Sequence, residues 1–196
     1  MNLNSIKELR NKTGAGMMQC KQALAENGGD LKKAIETLRL KGQLVANKKA
    51  TRDTKEGLIV SYIHTGNKLG ILLEINCETD FVARELEFKL LAKNIAMQIA
   101  ASSDIEFISI DQIPEGIRNK EWDFEQQKPD LIGKSEEIKN KIINGRLSKT
   151  LQKKNLLEQA YIKDTSITVN DLIQQKIVLF GENIKIKRFI RFKLGE

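Results

Sequence analysis

Apolar residues in the first forty positions recur at intervals of three and four, which is the spacing of amphipathic helices. Start and stop signals divide this region into three predicted helices. The three are a helix that begins at the capping-box pair Ser5 and Glu8 and stops at Gly14, a second over Met17–Glu26, and a third that Asp30 caps and Gly42 ends. We therefore predict a compact three-helix bundle over residues 1–42.

A strand period replaces the helical one after residues 43–55, a basic stretch without apolar periodicity that predicts a solvated linker. Residues 58–64 and 69–77 are rich in apolar side chains and flank a turn, so they predict a hairpin. Near the end of the chain, residues 184–194 alternate between isoleucine-rich and cationic positions. This alternation predicts a strand with one covered apolar face and one wet, cationic face.

Helical spacing returns between the hairpin and the final strand. The predicted helices there are residues 85–102, a helix opened by Pro114 and ended before Pro129, residues 135–144 stopped by Gly145, residues 147–159, and a short helix capped by Thr168. We expect the hairpin and the last strand to pair, with the helices covering one face. The predicted class is α+β: the three-helix bundle, then a core over residues 56–196 with a small antiparallel sheet packed against helices.

The composition describes a soluble globular protein, since 40% of the 196 residues are apolar and 30% are charged. No apolar run approaches the ~20 residues that cross a bilayer, and the first residues lack a signal-peptide pattern. Cys20 and Cys77 have no metal-ligand spacing, so we expect buried or idle thiols in a reducing cytoplasm. These features predict a cytoplasmic protein without a membrane partner.

The formal net charge of +7 fits more than one kind of partner. A basic RNA-binding or ribosome-associated module would use it to bind phosphates, and an acidic protein partner accounts for it equally well. The lysines are scattered, and no basic–aromatic cluster resembles a base-stacking platform. A helical protein-interaction adaptor is a further alternative. An enzyme is disfavoured, because His64 is the only histidine and no nucleophile elbow, metal cluster or phosphate loop is present.

The junction between the hairpin and the next helix places an acid beside a large aromatic side chain. Thr79 is a good N-cap, and Asp80 suits the first turn of the helix that follows. By residue type, Phe81 would be one more core residue. A strand-to-helix junction is also a rigid support from which side chains reach a partner, so the residues alone leave both roles open.

Met17 and Met18 are adjacent at the start of the second predicted helix, where neighbouring side chains point about 100° apart. We therefore do not expect both to be fully buried. One interpretation is a docking face made of Met17, Met18 and Arg10, because exposed methionine adapts to partners. The other is that one methionine belongs to the core and the second lines the turn at residues 14–16.

Ordered motifs along the chain resemble those of elongation factor Ts, the nucleotide-exchange factor of elongation factor Tu. They are IKELR from Ile6, TGAGMM from Thr13, NCETDFVA from Asn76, the pair Gly145-Arg146, LLEQ from Leu156 and RFIRF from Arg188. The match extends over essentially the whole chain and resembles a short form, with one core module and no coiled-coil insertion. By this resemblance the chain is identified as a member of that family.

The resemblance implies a function and a set of site residues. Members of the family bind elongation factor Tu in its GDP form and disturb its magnesium and phosphate site. The implied site is Thr79, Asp80, Phe81 and Val82, with Phe81 as a wedge in an apolar crevice of the partner and Asp80 reorganising polar groups beside it. GDP, GTP and magnesium belong to the partner, so no cofactor of the chain's own and no catalytic group are expected.

The resemblance also implies how the partner and a second copy are bound. A UBA-like N-terminal bundle would dock on a helix of the partner's G domain through Arg10, Met17 and Met18. Short members of the family work as dimers, so a homodimer is expected, without direct binding of nucleic acid. Gln98 stands where the family often has histidine, and any partner contact made by that histidine is in doubt here.

Overall fold

The computed structural model describes residues 3–196, and it confirms the predicted α+β class. The helices within this range are α1 (Leu3–Thr13), α2 (Met17–Glu26), α3 (Leu31–Lys49), α4 (Asp80–Arg84), α5 (Leu86–Ala101), α6 (Glu115–Gln126), α7 (Glu136–Lys154) and α8 (Val169–Phe180). The strands are β1 (Glu56–Ile63), β2 (Leu69–Cys77), β3 (Ala160–Tyr161), β4 (Asp164–Thr168) and β5 (Lys185–Lys193). Most predicted elements are present, and the differences lie mainly in their bounds.

Internal contacts divide the chain into two compact units. Unit 1 contains the residues up to Ala100 together with Asn170–Glu196, and unit 2 contains Ala101–Val169. The first three helices and the larger sheet belong to unit 1, whereas α6, α7 and the β3–β4 hairpin belong to unit 2. The predicted domains, residues 1–42 and 56–196 with a linker at 43–55, are regions expected to fold separately. This division stays a prediction.

The sheet of unit 1 is antiparallel with the strand order β1-β2-β5, which confirms the predicted pairing of the hairpin with the final strand. On the central strand, Ile71, Leu73 and Ile75 are buried and alternate with more exposed residues. Helices α5 and α8 contribute to the same core, where the rings of Phe88 and Phe180 meet edge-on with centroids 6.2 Å apart. The alternation of β2 therefore separates a covered face from an open one.

A β-bulge in β5 overturns the prediction that its cationic side is the wet one. Ile75 pairs with Ile186 and Glu74 with Arg188, so Lys187 is an extra residue. Because side chains alternate along a strand, one extra residue exchanges the two faces beyond it. Buried positions before the bulge are isoleucines, as expected. After it, Arg191 turns to the covered face and donates to the carbonyl oxygen of Ile99 at 2.5 Å.

The three-helix bundle has its own apolar cluster, as predicted. Its buried members are Ile6, Leu9, Ala15, Cys20, Ala23, Leu24 and Ala34. Asp30 caps α3, since its Oδ1 accepts from the backbone N–H groups of Lys32 and Lys33 at 2.9 and 3.1 Å. The predicted cap at Ser5 is wrong, because Ser5 lies inside α1.

Gly42 does not end α3, which continues to Lys49 and takes up residues 43–49 of the predicted linker. A Cβ on Gly42 would lie 3.5 Å from Cγ2 of Val178, an ordinary van der Waals separation. Gly42 thus lies on the side of α3 that faces α8. Ala46, one turn further on, is buried. Packing therefore carries the helix past Gly42 in spite of glycine's low helix propensity.

Unit 2 pairs α6 with α7 and closes with the two-stranded β3–β4 hairpin, which the sequence did not predict. Helix α7 merges the two helices predicted on either side of Gly145, because Ile143 and Leu151 are both buried along one continuous helix. Arg146 forks onto the carboxylate of Asp130 and approaches Oε2 of the buried Glu125 at 3.5 Å. The hydrogen bond from Arg146 lowers the pKa of Asp130.

Both thiols are buried, as predicted for Cys20 and Cys77. In residues 3–196, no helix combines the length and the apolar character that a membrane span requires.

Gly42→Ala should raise the melting temperature. The added methyl fits against Val178 and removes a glycine from a helix interior, which contributes about 0.5–1 kcal/mol. For a chain of this size the rise is about 2 °C, measured by scanning calorimetry. The matched control is Gly28→Ala, which should lower it because Gly28 has a φ of +61°. A lower melting temperature for Gly42→Ala would contradict the close but unstrained packing of α3 on α8.

Candidate functional site

The site predicted at residues 79–82 lies on a short connection that leaves the central strand. Strand β2 ends at Cys77 and α4 begins at Asp80, so only Glu78 and Thr79 lie between them. Thr79 caps α4 as predicted, with its Oγ1 accepting from the N–H of Val82 at 3.5 Å. A single helical turn is thereby attached directly to the strand that forms the middle of the sheet.

The four residues divide into two that face outward and two that face inward. The side chain of Phe81 is 77% exposed, whereas Val82 is only 9% exposed. The interpretation of Phe81 as a core residue is therefore wrong, because Val82 occupies the inward position of this turn. The alternative, an aromatic side chain presented to a partner on a rigid support, agrees with the geometry.

Asp80 lies beside Phe81 in the first turn of α4, where a carboxylate favours the positive end of the helix dipole. Its Oδ2 contacts the guanidinium of Arg84 at 2.9 Å; the side chain of Arg84 is largely exposed and that of Asp80 is about half exposed. Exposed ion pairs of this kind are weak. The carboxylate of Asp80 is thus available to other polar groups without a large loss of stability.

Glu182 holds the backbone that leads into α4. Its Oε2 accepts from the backbone N–H groups of Glu78 and Thr79 at 3.1 and 3.0 Å, and its Oε1 accepts from the hydroxyl of Thr79 at 2.6 Å. The hydroxyl of Thr79 thereby donates to Glu182 and accepts from Val82. Thr79 is fully engaged within its own chain and helps to position Asp80 and Phe81.

Cys77 lies beneath the same junction, with its Sγ donating to the carbonyl oxygen of Thr79 at 3.1 Å. Burial, reinforced by the negative charge of Glu182, raises the pKa of this thiol to about 11. The thiol is therefore protonated near neutral pH and is a poor nucleophile.

The residues predicted to dock on a partner lie on either side of the connection between α1 and α2. Arg10 is exposed in the last turn of α1, and Met17 and Met18 open α2 after a connection of three residues. The exposed fractions are 45% for Met17 and 74% for Met18, so the interpretation that one of them belongs to the core is wrong. The start of α2 is fixed by Gln19, whose Oε1 accepts from the N–H of Gly16 at 3.1 Å.

A model of a protein family described as "Elongation factor TS" matches residues 4–196. The chain belongs to the elongation factor Ts family. It is 59% identical to a chloroplastic elongation factor Ts of Phaeodactylum tricornutum, over 98% of this chain and 95% of the relative. Elongation factor Ts of Gloeothece citriformis is 57% identical over 97% of this chain and 67% of the relative, and that of Picosynechococcus is 56% identical over 97% and 88%.

Membership of the elongation factor Ts family confirms the resemblance and assigns the chain to translation elongation. Gln98 is buried in α5 at 1% exposure. Its side chain is enclosed by its own chain and offers no surface to a partner. Among residues 3–196, no group of three or more histidine, cysteine or acidic side chains could hold a metal ion.

Glu182 is the functional candidate that sequence analysis of the elongation factor Ts motifs missed. It lies more than a hundred positions after Thr79, just beyond Gly181, and carries no motif of its own. A lone glutamate in a loop gives no sign that it accepts hydrogen bonds from a distant segment. The glycine beside it, with a φ of +71°, is the only local signal of a sharp turn at this point in the sequence.

Proposed function

We propose that the chain is a guanine-nucleotide exchange factor for elongation factor Tu, and that it releases GDP by disturbing the partner's magnesium and phosphate site. The observation that carries the proposal is Phe81, a phenylalanine left 77% exposed at the tip of a turn whose neighbouring residues are anchored. A large apolar side chain held away from its own core is typical of an anchor that fills a partner's pocket.

The exchange reaction needs no bond-making group in this chain. An exchange factor stabilises the partner conformation that binds GDP poorly, and by linkage GDP weakens the binding of the factor to the same extent. Coupling free energies between two sites are typically about 1–3 kcal/mol. Burying one phenylalanine side chain contributes about 1.5–3 kcal/mol. If the crevice is open only in the conformation that binds GDP poorly, transfer of the Phe81 ring into it is large enough to supply most of this coupling.

The four predicted site residues share the work in two pairs. Phe81 enters the crevice, and Asp80 exchanges its weak pairing with Arg84 for polar groups around the partner's magnesium. Thr79 and Val82 do not reach the partner in this proposal. They hold the turn, one through hydrogen bonds and the other through burial.

Arg10, Met17 and Met18 provide the second contact with elongation factor Tu. Two exposed methionines offer a flexible apolar surface, and the guanidinium of Arg10 supplies a cation at its rim. In this proposal the contact acts equally on all nucleotide states of the partner. It would raise affinity without changing the release step itself.

Phe81→Ala should lower kcat/KM for release of a fluorescent GDP from elongation factor Tu by about tenfold to a hundredfold, since truncation removes the anchoring ring. The melting temperature should not fall, because the ring is not part of the core. The matched control is Phe124→Ala, which truncates a phenylalanine that is 62% exposed in unit 2. Equal rates for both variants and the native chain would remove Phe81 from the mechanism.

Met18→Ala should raise the concentration needed for half-maximal GDP release by about tenfold, which corresponds to 1.4 kcal/mol of binding. The rate at saturation should stay as in the native chain, because docking stabilises bound states uniformly. A stopped-flow titration separates the two quantities. A reduced saturating rate with an unchanged half-maximal concentration would show that Met18 does not act as a docking residue.

We further propose that the chain forms a homodimer through the open face of the sheet. Beyond the bulge, the outward positions of β5 are Ile190 and Phe192, and they pair with Leu72 and Gly70 of β2. Together with Ile59 and Ile63 of β1, the exposed side chains form an apolar face that no other described residue covers. Contiguous apolar surface of this kind marks an interaction site, and two such faces would bury one another.

Ile190→Lys should convert the dimer to a monomer, because it places a charge in the middle of the apolar face. Size-exclusion chromatography with light scattering measures the mass. The control is Phe124→Lys, an equivalent change outside this face, which should leave the mass of two chains. A native chain with the mass of one chain at working concentration would reject the dimer.

A further inference from the structure

The loop after α8 and the end of β2 exchange hydrogen bonds in both directions. Glu182 accepts from the N–H groups of Glu78 and Thr79 and from the hydroxyl of Thr79. In return, Oε1 of Glu78 accepts from the backbone N–H of Asn183 at 2.6 Å. Two short segments that are a hundred residues apart are thereby bound side by side through two carboxylates.

A third segment, the stretch after α3, joins the same network. The side-chain Nδ2 of Asn183 donates to the backbone carbonyl oxygen of Arg52 at 2.9 Å and to that of Ala50 at 3.4 Å. The guanidinium of Arg52 lies 3.4 Å from Oε2 of Glu78. Because Asn183 is itself buried, the network is shielded from water on one side. Hydrogen bonds to a carboxylate are stronger where water is excluded.

The wedge needs this support because α4 is too short to hold its own shape. Five residues make a little more than one turn, and isolated helices of that length are not stable. Contacts outside the turn fix it: the buried side chain of Val82, the thiol of Cys77 on the carbonyl oxygen of Thr79, and the three hydrogen bonds from Glu78 and Thr79 to Glu182. The contacts to Glu182 are the only ones of these that hold the N–H and the hydroxyl of Thr79, so their loss leaves the direction of the turn, and of the Phe81 ring, less well fixed.

We propose that Glu182 is the positioning residue of the exchange reaction, holding Thr79 so that Phe81 stays directed at the partner. The proposal rests on the function proposed above. Glu182 does not touch the partner; it raises the fraction of molecules in which the wedge is ready to bind. The apparent affinity of a partner falls in proportion to that fraction.

The test measures GDP release from elongation factor Tu with Glu182→Ala, Glu182→Gln and Glu182→Asp. Glu182→Ala removes all three acceptor contacts and should lower kcat/KM about tenfold, as for a competent fraction near one tenth. Glu182→Gln should keep activity within about threefold of the native chain, because its oxygen can accept from the two N–H groups and its amide can donate to the oxygen of Thr79. The aspartate side chain of Glu182→Asp is too short to reach Glu78 and Thr79, so this variant should lose activity as Glu182→Ala does. It provides the same test if Glu182→Ala does not fold.

The double variant Phe81→Ala with Glu182→Ala separates positioning from general stability. If Glu182 acts through Phe81, the double variant is no slower than Phe81→Ala alone, because nothing is left to position. If the losses in kcat/KM of the two single variants multiply in the double variant, the proposal is overturned and Glu182 has only a structural role. Glu74→Ala, which removes a carboxylate 2.7 Å from Arg188 in the same sheet, is the matched control and should retain native activity.

The two proposals fail in different ways in this experiment. If Phe81→Ala releases GDP as fast as the native chain, the wedge itself is wrong. If Phe81→Ala is impaired while Glu182→Ala is not, the wedge stands and the positioning role of Glu182 is overturned. If Glu182→Gln is as slow as Glu182→Ala, the hydrogen-bond geometry is not what holds the turn, and the proposal fails on that ground.

Discussion

The central strand β2 is the constraint on which the rest of unit 1 depends. It is hydrogen-bonded to β1 on one side and to β5 on the other, and Ile71, Leu73 and Ile75 anchor one of its faces in the core. A strand fixed in this way cannot shift its register without exposing all of its buried side chains. The residues that follow Cys77 therefore leave the sheet in a defined direction, and the orientation of Phe81 is inherited from the packing of β2.

Local signals were sufficient for the elements whose start and end are written in neighbouring residues. Asp30 and Thr79 accept hydrogen bonds from backbone N–H groups two or three positions further on, and the β1–β2 hairpin turns within a few residues. These predictions are confirmed. Residue type left it open whether Phe81 is buried, and only the family motifs favoured an outward position, with which the exposed ring agrees. The motifs did this because they carry information about a partner that hydrophobic periodicity does not contain.

Several of the failures share one cause, which is that distant contacts outweighed local preference. Gly42 and Gly145 lie within helices because Ala46 in one case, and Ile143 and Leu151 in the other, gain more from burial than a glycine loses in propensity. Glu182 is recognisable only after the loop that carries it is placed against Thr79. The faces of β5 were assigned from strict alternation, and the bulge that breaks it appears only in the pairing with β2.

The extra residue at Lys187 has a consequence for how such chains can diverge. It decides which side chains the second half of β5 presents to solvent. It does so without changing the identity of any residue in the sheet. If Lys187 instead paired with Glu74, with no bulge, the same strand would present its cations there and turn the isoleucine and phenylalanine toward the covered face. Relatives can therefore diverge in the surface of this sheet through a one-residue change of register, without any substitution on the surface itself.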